Sequence, residues 1–399
     1  MLKHLLKSLW KRKGKNLMIS AEILLIFVVI FGVVVGFVHN SRLYHQTRGF
    51  DYEDRWRVSF ETELDVLSKP NPQLVENFRR SLQAMPEVES VSFVQFGPYS
   101  NSAFVGDFRG TESGQKLSTY FVTADDASQS TLKIPVVSGR WFSQQDEGAS
   151  ETAAVINRRL AKKMFGDEDP LGKLMTNSDM GQKDPKFYRI VGVIEDYRYF
   201  GEFMGYENIA LFRHSSISEN PLTNLIIKVK PGTPRNFEIK LHQQLKLVRN
   251  DIEYDISVLD ETRDEMLRQK ATFFAPPIFI ASFLLLMVCF GLFGVLWQNV
   301  NSRIPEIGLR RAVGASSLQI YSQIITEQVL LSSMAMVVAL VFLVQLPFTG
   351  IFAKFMDWSS FFLSAGIAMM VIYAMTIVCS LYPAWMASRM SPTDALHYE

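Results

Sequence analysis

The stretch "SRIPEIGLRRAVGASSLQI", Ser302 to Ile320, lies between two apolar runs that are each long enough to cross a lipid bilayer. The stretch itself is short and amphipathic, with a proline near its start, two adjacent arginines and two glycines. The two flanking runs are two of four long apolar runs in the chain, and these four runs decide the fold class.

Four apolar runs approach the roughly 20 residues that a helix needs to cross a hydrocarbon core about 30 Å thick. They are Leu17 to Val38, Phe273 to Trp297, Ile324 to Leu346 and Phe361 to Tyr382. Any one of them fits a buried helix of a soluble protein, but four in one chain predict an integral membrane protein. The residues after the first run, "GFVHNSRLY", offer no small-x-small cleavage site, so we expect a retained anchor rather than a signal peptide.

The distribution of basic residues predicts the topology, because Lys and Arg near span ends favour the cytoplasmic side. Residues 1–16 carry six basic residues and no acid, in an amphipathic pattern expected at a membrane surface. The predicted spans are residues 17–38, 272–298, 322–346 and 361–384. The N-terminal segment, the loop 299–321 and the tail 385–399 then lie in the cytoplasm. The large domain 39–271 and the short loop 347–360 lie outside it.

Residues 39–271 predict an α+β domain that folds without disulfides, since the two cysteines of the chain, Cys289 and Cys379, fall in predicted spans. A strand-helix-strand pattern near the start returns near the end, where "NLIIKVK", a turn at "PGTP", a helix around residues 237–248 and "IEYDISVL" follow in order. We predict a split porter-like subdomain with halves at about 50–125 and 220–260, and a second subdomain inserted at about 126–219. The segment from Leu259 is expected to run as one helix into the second span.

The sequence contains no signature of catalysis or of cofactor binding. The string closest to a nucleotide-binding P-loop, "GDEDPLGK" from Gly166, has the wrong spacing and is followed by a leucine, which cannot ligate magnesium. The six histidines are scattered without the spacing of a metal site, and the formal net charge of +1 gives no support to nucleic-acid binding. We therefore expect no catalytic residue, cofactor or metal. A membrane-anchored hydrolase is the contrasting hypothesis, because clefts between α+β subdomains often bind ligands.

Two carboxylates, Glu22 and Glu327, fall inside predicted spans, where an unpaired charge costs several kcal/mol. Both lie within the first two turns of the cytoplasmic ends of their spans, so one interpretation is that they reach back to the membrane interface. The other is that they contact basic groups of the neighbouring loop, such as Arg310 or Arg311, and fix its position.

The string "PEIGLRRAVGAS" resembles the second cytoplasmic loop of the MacB/FtsX-like permeases, the membrane subunits of type VII ABC transporters. The positions that match that family's pattern are Glu306, Ile307, Gly308, Arg310, Arg311, Ala312, Gly314 and Ala315. In that family the segment is a coupling helix that docks into a cleft of an ATP-binding subunit, so the resemblance implies that these residues contact such a partner. Arginines suit this role, since they pair with carboxylates in a fixed geometry. Ser302 and Pro305 depart from the family pattern.

Further strings carry the same resemblance over most of the chain. The C-terminal "LYPAWMASRMSPTDALHYE" matches the family's closing pattern at Pro383, Ala384, Ala387, Pro392, Ala395 and Leu396. The strings "SGRWFS", "VINRRLAKKMFGDEDPLGK" and "YRIVGVIEDYRY" are similar to the family's extracytoplasmic core domain. The order of one span, a large external domain and three spans also fits.

The resemblance implies a permease subunit of the bacterial cytoplasmic membrane that works with a separately encoded cytoplasmic ABC ATPase and with a second permease copy or a paralogue. The ATPase would bind the ATP, and its movements would drive the external domain to export or extract a peptide, drug, lipoprotein or lipid. A periplasmic adaptor or another envelope protein is a further possible partner. The alternative is an FtsX-like or sensor-type permease that controls an envelope partner rather than transporting.

Overall fold

The structure is a computed structural model that describes residues 13–61, 72–100, 102–111, 114–177, 186–214, 222–350, 352 and 356–389. The chain divides into two compact units: Met1–Arg42 together with Ala271–Glu399, and Leu43–Lys270. Most of the predicted amphipathic segment, residues 1–12, and the tail from residue 390, which contains Pro392, Ala395 and Leu396, lie outside the described residues.

Among the described residues, every strand lies in the second unit. The helices are α1 (Lys13–Tyr44), α2 (Pro72–Gln83), α3 (Ser128–Leu132), α4 (Arg158–Phe165), α5 (Phe237–Val248), α6 (Leu259–Asn301), α7 (Ile304–Ala312), α8 (Ser317–Leu343), α9 (Gln345–Thr349) and α10 (Trp358–Arg389). The strands are β1 (Arg55–Glu61), β2 (Val88–Val94), β3 (Phe104–Gly110), β4 (Leu117–Ala124), β5 (Val136–Gly139), β6 (Thr152–Asn157), β7 (Leu174–Thr176), β8 (Phe187–Ile194), β9 (Ile209–Arg213), β10 (Asn224–Val229) and β11 (Glu253–Val258).

Within the described residues, four helical stretches are long and apolar enough to cross a membrane. They are Leu17–Tyr44, Leu259–Gln298, Ser317–Thr349 and Trp358–Arg389. Each contains one of the four predicted spans and extends beyond it. The predicted order of one span, a large α+β unit and three spans is therefore confirmed.

The span unit is held together mainly by close packing of α8 against α10. Small residues lie buried on both helices, which lets the two backbones approach each other: Ala335, Ala339, Ala365 and Ala368. Polar side chains satisfy one another in the same contact, with the hydroxyls of Ser332 and Thr376 3.0 Å apart. Around this contact, α1 contributes large apolar side chains such as Phe27 and Phe31 to one core.

A polar clamp joins the end of α1 to the start of α10. Arg42 donates to Asp357 Oδ1 at 2.9 Å, to Ser360 Oγ at 2.7 Å and to Ser359 Oγ at 2.8 Å. Asp357 Oδ1 also accepts the backbone N–H of Ser360 at 2.9 Å, as an N-terminal capping residue does. One guanidinium therefore ties the first span to the cap of the fourth.

The first half of the α+β unit is an antiparallel sheet of β11, β1, β10 and β2, in that order. Helix α2 connects β1 to β2, and α5 connects β10 to β11, so the two strand-helix-strand units interleave in a ferredoxin-like arrangement. The two helices supply the core over this sheet, with Phe78 and Leu82 from α2 and Leu241 and Leu245 from α5. The prediction of a split α+β subdomain with an insertion is confirmed.

The inserted part is a small barrel. Strands β4, β3, β7, β8, β6 and β9 are neighbours in that order, and parallel pairing of β9 with β4 closes the ring. Helix α4 packs against β3, β4, β6, β8 and β9. Its buried residues Leu160, Met164 and Phe165 join Phe108 and Phe212 in the barrel core.

The insertion starts earlier along the chain than the predicted residue 126. Strands β3 and β4 pair with β7 and β9 of the barrel, whereas β4 meets the first sheet only where Val94 of β2 lies opposite Ala124. The first half therefore ends at β2. Apolar and polar residues alternate in the same way in the strands before and after this point. Only the pairing of strands that are distant in sequence separates the first half from the barrel.

Helix α6 continues from Leu259 to Asn301 without a break, as the sequence predicts, although Pro276 and Pro277 lie inside it. Each proline lacks a backbone N–H, so two hydrogen bonds of the helix are missing at this point. Helices bend most readily at such positions.

A buried charge pair connects the two parts of the α+β unit. Asp125, which follows β4, pairs with Arg79 at 2.6 Å and accepts the backbone N–H of Phe93 at 2.9 Å and the hydroxyl of Ser128 at 2.8 Å. Burial raises the pKa of Asp125, and the charge of Arg79 opposes that rise.

We expect Arg79→Ala to destabilise the purified full chain by about 3 kcal/mol, because it leaves the Asp125 carboxyl buried without its cation. The neighbouring Arg80 is exposed and pairs with exposed Glu76, so Arg80→Ala is expected to cost less than about 1 kcal/mol. Thermal unfolding of both variants in the same detergent measures the difference. Equal losses would show that the buried pair does not hold the two parts together.

Candidate functional site

The loop between the second and third spans folds as a short helix with a defined start and stop. Helix α7 begins directly after α6, and its end is set by Gly314, which adopts a positive φ of +103°. The N–H of Ala315 donates to the carbonyl of Arg310 at 3.0 Å. This is the 6→1 hydrogen bond of a Schellman motif, which commonly ends a helix at a glycine. Ser316 then caps α8, since its hydroxyl accepts the N–H of Gln319. The string "VGASS" therefore ends α7 and begins α8.

The two sides of α7 differ in exposure. Ile304 and Ile307 are buried, and Ile307 packs with Val300 of α6, Ile320 of α8 and Ala387 of α10. On the other side, Leu309 and Val313 are 59% and 83% exposed. One side of the helix is therefore seated on the ends of three spans, and the other is an apolar surface open to solvent.

A chain of polar side chains fixes α7 to α8. Arg310 donates to Glu306 at 2.7 Å and to Gln323 Oε1 at 2.8 Å, and Gln323 Nε2 donates to Glu327 Oε1 at 3.1 Å. The second oxygen of Glu327 accepts Arg303 Nη1 at 2.7 Å. The Glu327 carboxylate is thus paired in place, at the junction between the loop and the third span.

The interaction between Arg303 and Glu327 is largely buried, with side-chain exposures of 17% and 7%. A carboxylate inside a span requires such a partner, because the cost of burying its charge is otherwise several kcal/mol. The sequence singles out Arg310 and Arg311 as contacts for this acid. In the structure Arg303 contacts it directly and Arg310 is linked through Gln323, while the side chain of Arg311 lies outside the described part of the chain.

The second intramembrane acid, Glu22, lies in a different setting. It faces Gly291 of α6, where an added Cβ would lie 3.1 Å from Glu22 Oε2. Among the described residues, this oxygen is buried without a hydrogen-bond partner. The absence of a side chain at Gly291 therefore makes room for the carboxyl group between α1 and α6.

The residues singled out by sequence thus divide between the two sides of the loop helix. Ile307 and Gly308 are buried, whereas Glu306 and Gly314 are exposed and Arg310 is half-buried. The exposed apolar pair Leu309 and Val313 was not among them, although its four-residue spacing places both on one helical face. Leu318, at the start of α8, is also exposed.

A second polar cluster lies in the α+β unit, where the chain leaves α1 and enters α6. Glu202 Oε1 accepts Arg48 Nη1 at 3.0 Å and Arg263 Nε at 2.5 Å, and its side chain is only 3% exposed. Both guanidinium groups also lie over the ring of Tyr52, at 4.3 and 5.0 Å. Burial alone would raise the pKa of Glu202, but hydrogen bonds from Arg263 and Arg48 outweigh it and hold that pKa below its usual value.

Arg198 fixes the same region from inside. This guanidinium is buried and donates to the carbonyls of Leu43 at 3.0 Å, of Glu202 at 2.5 Å and of Met204 at 2.6 and 3.0 Å. The carbonyl of Leu43 belongs to the last turn of α1, where helix carbonyls lack intrahelical partners and a cation is favourable. One buried arginine therefore caps α1 and holds the 198–204 segment against it.

Comparison with known families accounts for both units. A model of the MacB-like periplasmic core domain matches residues 23–236, and a model of the FtsX-like permease C-terminal region matches residues 278–392. The chain belongs to the MacB/FtsX-like ABC permeases. It is a multi-pass membrane protein, and its α+β unit corresponds to the family's extracytoplasmic domain.

Several relatives of this permease carry export names. The pyoverdine export ATP-binding/permease protein of Pseudomonas syringae pv. tomato is 24% identical over 335 residues, 80% of the permease and 47% of the relative. An uncharacterised ABC transporter permease of Bacillus subtilis, YknZ, is 24% identical over 69% of each chain. The permease spans less than half the length of the pyoverdine and macrolide exporters it matches.

The crystal structure of the periplasmic region of MacB from Actinobacillus actinomycetemcomitans aligns with a TM-score of 0.40 and 13% identity, covering 56% of the permease and 97% of that region.

We expect Glu327→Ala to destabilise the detergent-solubilised permease by about 3 kcal/mol, because it leaves Arg303 buried without its anion. Arg310→Ala removes only a half-exposed pair and is expected to cost less than about 1 kcal/mol. The double variant Arg303→Met/Glu327→Leu replaces both charges by apolar groups and is expected to be more stable than Glu327→Ala. Thermal unfolding decides this, and a double variant that is less stable than the single one contradicts the pairing.

Glu202→Gln is expected to lower the thermal midpoint at pH 7, since Arg48 and Arg263 then lose their shared anion. Because the pKa of folded Glu202 is depressed, its stabilisation is present above the unfolded value of about 4.3 and is lost as pH falls through the folded value. The gap between wild type and variant should therefore close in acid. Glu253, which is exposed and pairs with Lys246, gives the control Glu253→Gln. A gap that persists unchanged at the lowest pH would refute the clamp.

Proposed function

We propose that this permease is the membrane subunit of an ABC transporter and that α7 is the coupling helix on which a cytoplasmic ATPase subunit docks. The observation that carries the proposal is the two-sided construction of α7. Its inner side is seated on the ends of α6, α8 and α10 through Ile307. Its outer side presents Leu309 and Val313, an exposed apolar pair that a partner cleft would cover.

The contacts around α7 support a mechanical role. A partner that binds and hydrolyses ATP would displace α7, and the Arg303–Glu327 pair would carry that displacement into α8. Helix α6 has 43 residues, a length of roughly 65 Å, and it ends in the cluster around Glu202 through Arg263. The missing hydrogen bonds at Pro276 and Pro277 would let α6 bend along this path.

The cargo and the second subunit are inferred by likeness. The pyoverdine and macrolide export names of the relatives support export, with a drug or peptide as cargo, and extraction of a lipoprotein or lipid is the alternative. A second permease copy or a paralogue would complete the transporter. The permease would lie in the bacterial cytoplasmic membrane, with both termini in the cytoplasm and the α+β unit outside.

The topology can be tested by labelling introduced cysteines, because both native cysteines lie in spans and can be replaced by alanine. We expect a membrane-impermeant maleimide to label Leu247→Cys in spheroplasts, since Leu247 is 79% exposed on the α+β unit. Val313→Cys, 83% exposed on the loop, should be labelled only after lysis. The reverse pattern would overturn the orientation.

Docking on α7 can be tested by affinity purification of the tagged permease from native membranes in mild detergent. We expect an ABC ATPase to co-elute with wild type and to be largely lost from Leu309→Asp/Val313→Asp, because charged side chains cannot enter an apolar cleft. Leu247→Asp introduces a charge at an equally exposed leucine and should retain the ATPase. Retention by the loop variant, at equal permease levels, would rule out α7 as the docking helix.

A further inference from the structure

A pocket lies within the α+β unit, where the segment 198–208 meets strand β4 and the first part of α6. Its volume is about 400 Å³, which falls in the range of roughly 300–1,000 Å³ that is usual for ligand pockets. Strand β4 contributes Tyr120 to its walls, the segment contributes Phe200 and Phe203, and α6 contributes Met266. The pocket is therefore a candidate binding site separate from α7.

The walls of the pocket are mainly aromatic rings and methionines. The rings of Tyr120 and Phe200 lie at 88° to each other with their centres 6.1 Å apart, and we call this pair the aromatic corner. Phe203 and the thioethers of Met204 and Met266 line the rest. Perpendicular rings offer both a face and an edge to an apolar side chain. Methionine adapts to side chains of different shape, so the walls suit an apolar or aromatic group.

The segment that carries most of these walls is held in place by the protein itself. Arg198 donates to the carbonyl of Met204 at 2.6 and 3.0 Å. Gly201 has a φ of +88°, and a Cβ at this position would lie 3.0 Å from Met266 Sδ, so glycine lets the segment lie directly against α6. A pocket that is already formed loses less conformational entropy when a ligand binds.

Two side chains of opposite charge also line the pocket. Glu207 belongs to the segment 198–208, and Lys270 belongs to α6. Asn157 donates to the backbone carbonyl of Glu207 at 2.9 Å and fixes its position. Lys270 is exposed and forms no ion pair among the described residues. Glu207 would attract an amine and Lys270 a carboxylate, so a ligand that carries one of each complements both charges.

The walls and the two charges together select the chemistry of the ligand. It needs an apolar body, an amine and a separate carboxylate, and a short apolar peptide with free termini has all three. We propose that this pocket binds such a peptide, with its amine at Glu207, its carboxylate at Lys270 and an apolar side chain in the aromatic corner.

This inference rests on the proposed function and deepens it, because it names the class of cargo that the α+β unit would take. A peptide in the pocket would contact α6 at Met266 and Lys270, and α6 is the helix along which the proposed movement passes. Binding of the peptide can be measured without an ATPase. Its failure would leave the docking of a partner on α7 untouched, and failure of docking would leave the pocket untouched.

The test is calorimetric titration of the purified full-length permease, in mild detergent, with the dipeptide phenylalanyl-leucine. Glu207→Gln/Lys270→Gln removes one charge of each sign and should bind the dipeptide roughly tenfold or more weakly than wild type. The control Glu87→Gln/Lys240→Gln removes an ion pair from the surface of the ferredoxin-like half and should bind as wild type does. Equal thermal midpoints would show that both double variants are folded.

A capped dipeptide, N-acetyl-phenylalanyl-leucine amide, separates the two parts of the site because it has no charge. It should bind wild type roughly tenfold or more weakly than the free dipeptide does, and it should bind Glu207→Gln/Lys270→Gln as it binds wild type. Phe203→Ala should weaken the binding of both dipeptides about fivefold, since it removes part of the apolar wall.

Three results would overturn the proposal. If the capped dipeptide binds wild type as tightly as the free one, the pocket is an apolar site and the assignment of the peptide termini is wrong. If the free dipeptide binds Glu207→Gln/Lys270→Gln as tightly as wild type, its charged groups bind elsewhere. If wild type binds no dipeptide at millimolar concentration, the pocket is not a peptide site.

Discussion

The carboxylate of Glu327 is the constraint around which the loop between the second and third spans is built. An acid inside a span must be neutralised, and Arg303 does this from the last residues before α7 begins. Because the pair fixes Arg303 to α8, the next turn of chain is fixed too, and Ile307 is pressed onto the span ends. Gln323 extends the same network to Arg310, so both ends of α7 are held. The exposed side of α7, with Leu309 and Val313, is then the part of the loop that no other segment of the described chain covers.

A buried carboxylate held by arginines is also found in the α+β unit. There a buried acid, Glu202, is shared by Arg48, which follows α1, and Arg263, which belongs to α6. Arg198 adds a cap on the last turn of α1. Buried charge pairs of this kind add little net stability but strongly penalise loss of one partner. They fix the relative orientation of the segments that they join, since the geometry of the pair allows few alternatives.

The sequence was informative wherever a signal is local. Apolar length located the four spans, helical periodicity located α5 and the uninterrupted α6, and the loop motif identified α7 as the candidate coupling site. It was less informative where pairing is distant in sequence. The barrel begins with β3 at Phe104, before the predicted residue 126, because β3 pairs with β7 and β4 pairs with β9. Nothing in the alternation of β3 or β4 distinguishes one sheet from another. Arg198 meets Leu43 across 155 residues. The direct contact of Glu327 with Arg303 was not predicted, because the sequence pointed to Arg310 or Arg311 and the order of the arginines in the loop does not show which of them meets the acid.

The central claim is that α7 moves with the spans as one body. Nitroxide labels on Ala312→Cys and Ser322→Cys, both exposed positions, would report the distance between α7 and α8 by pulsed electron resonance. The measurement uses permease without native cysteines, reconstituted with the ATPase that co-purifies with it, with and without a non-hydrolysable ATP analogue. The account predicts one narrow distance distribution that is the same in both states. A distribution that broadens or shifts when nucleotide binds would show that α7 moves independently of α8, and would contradict the account.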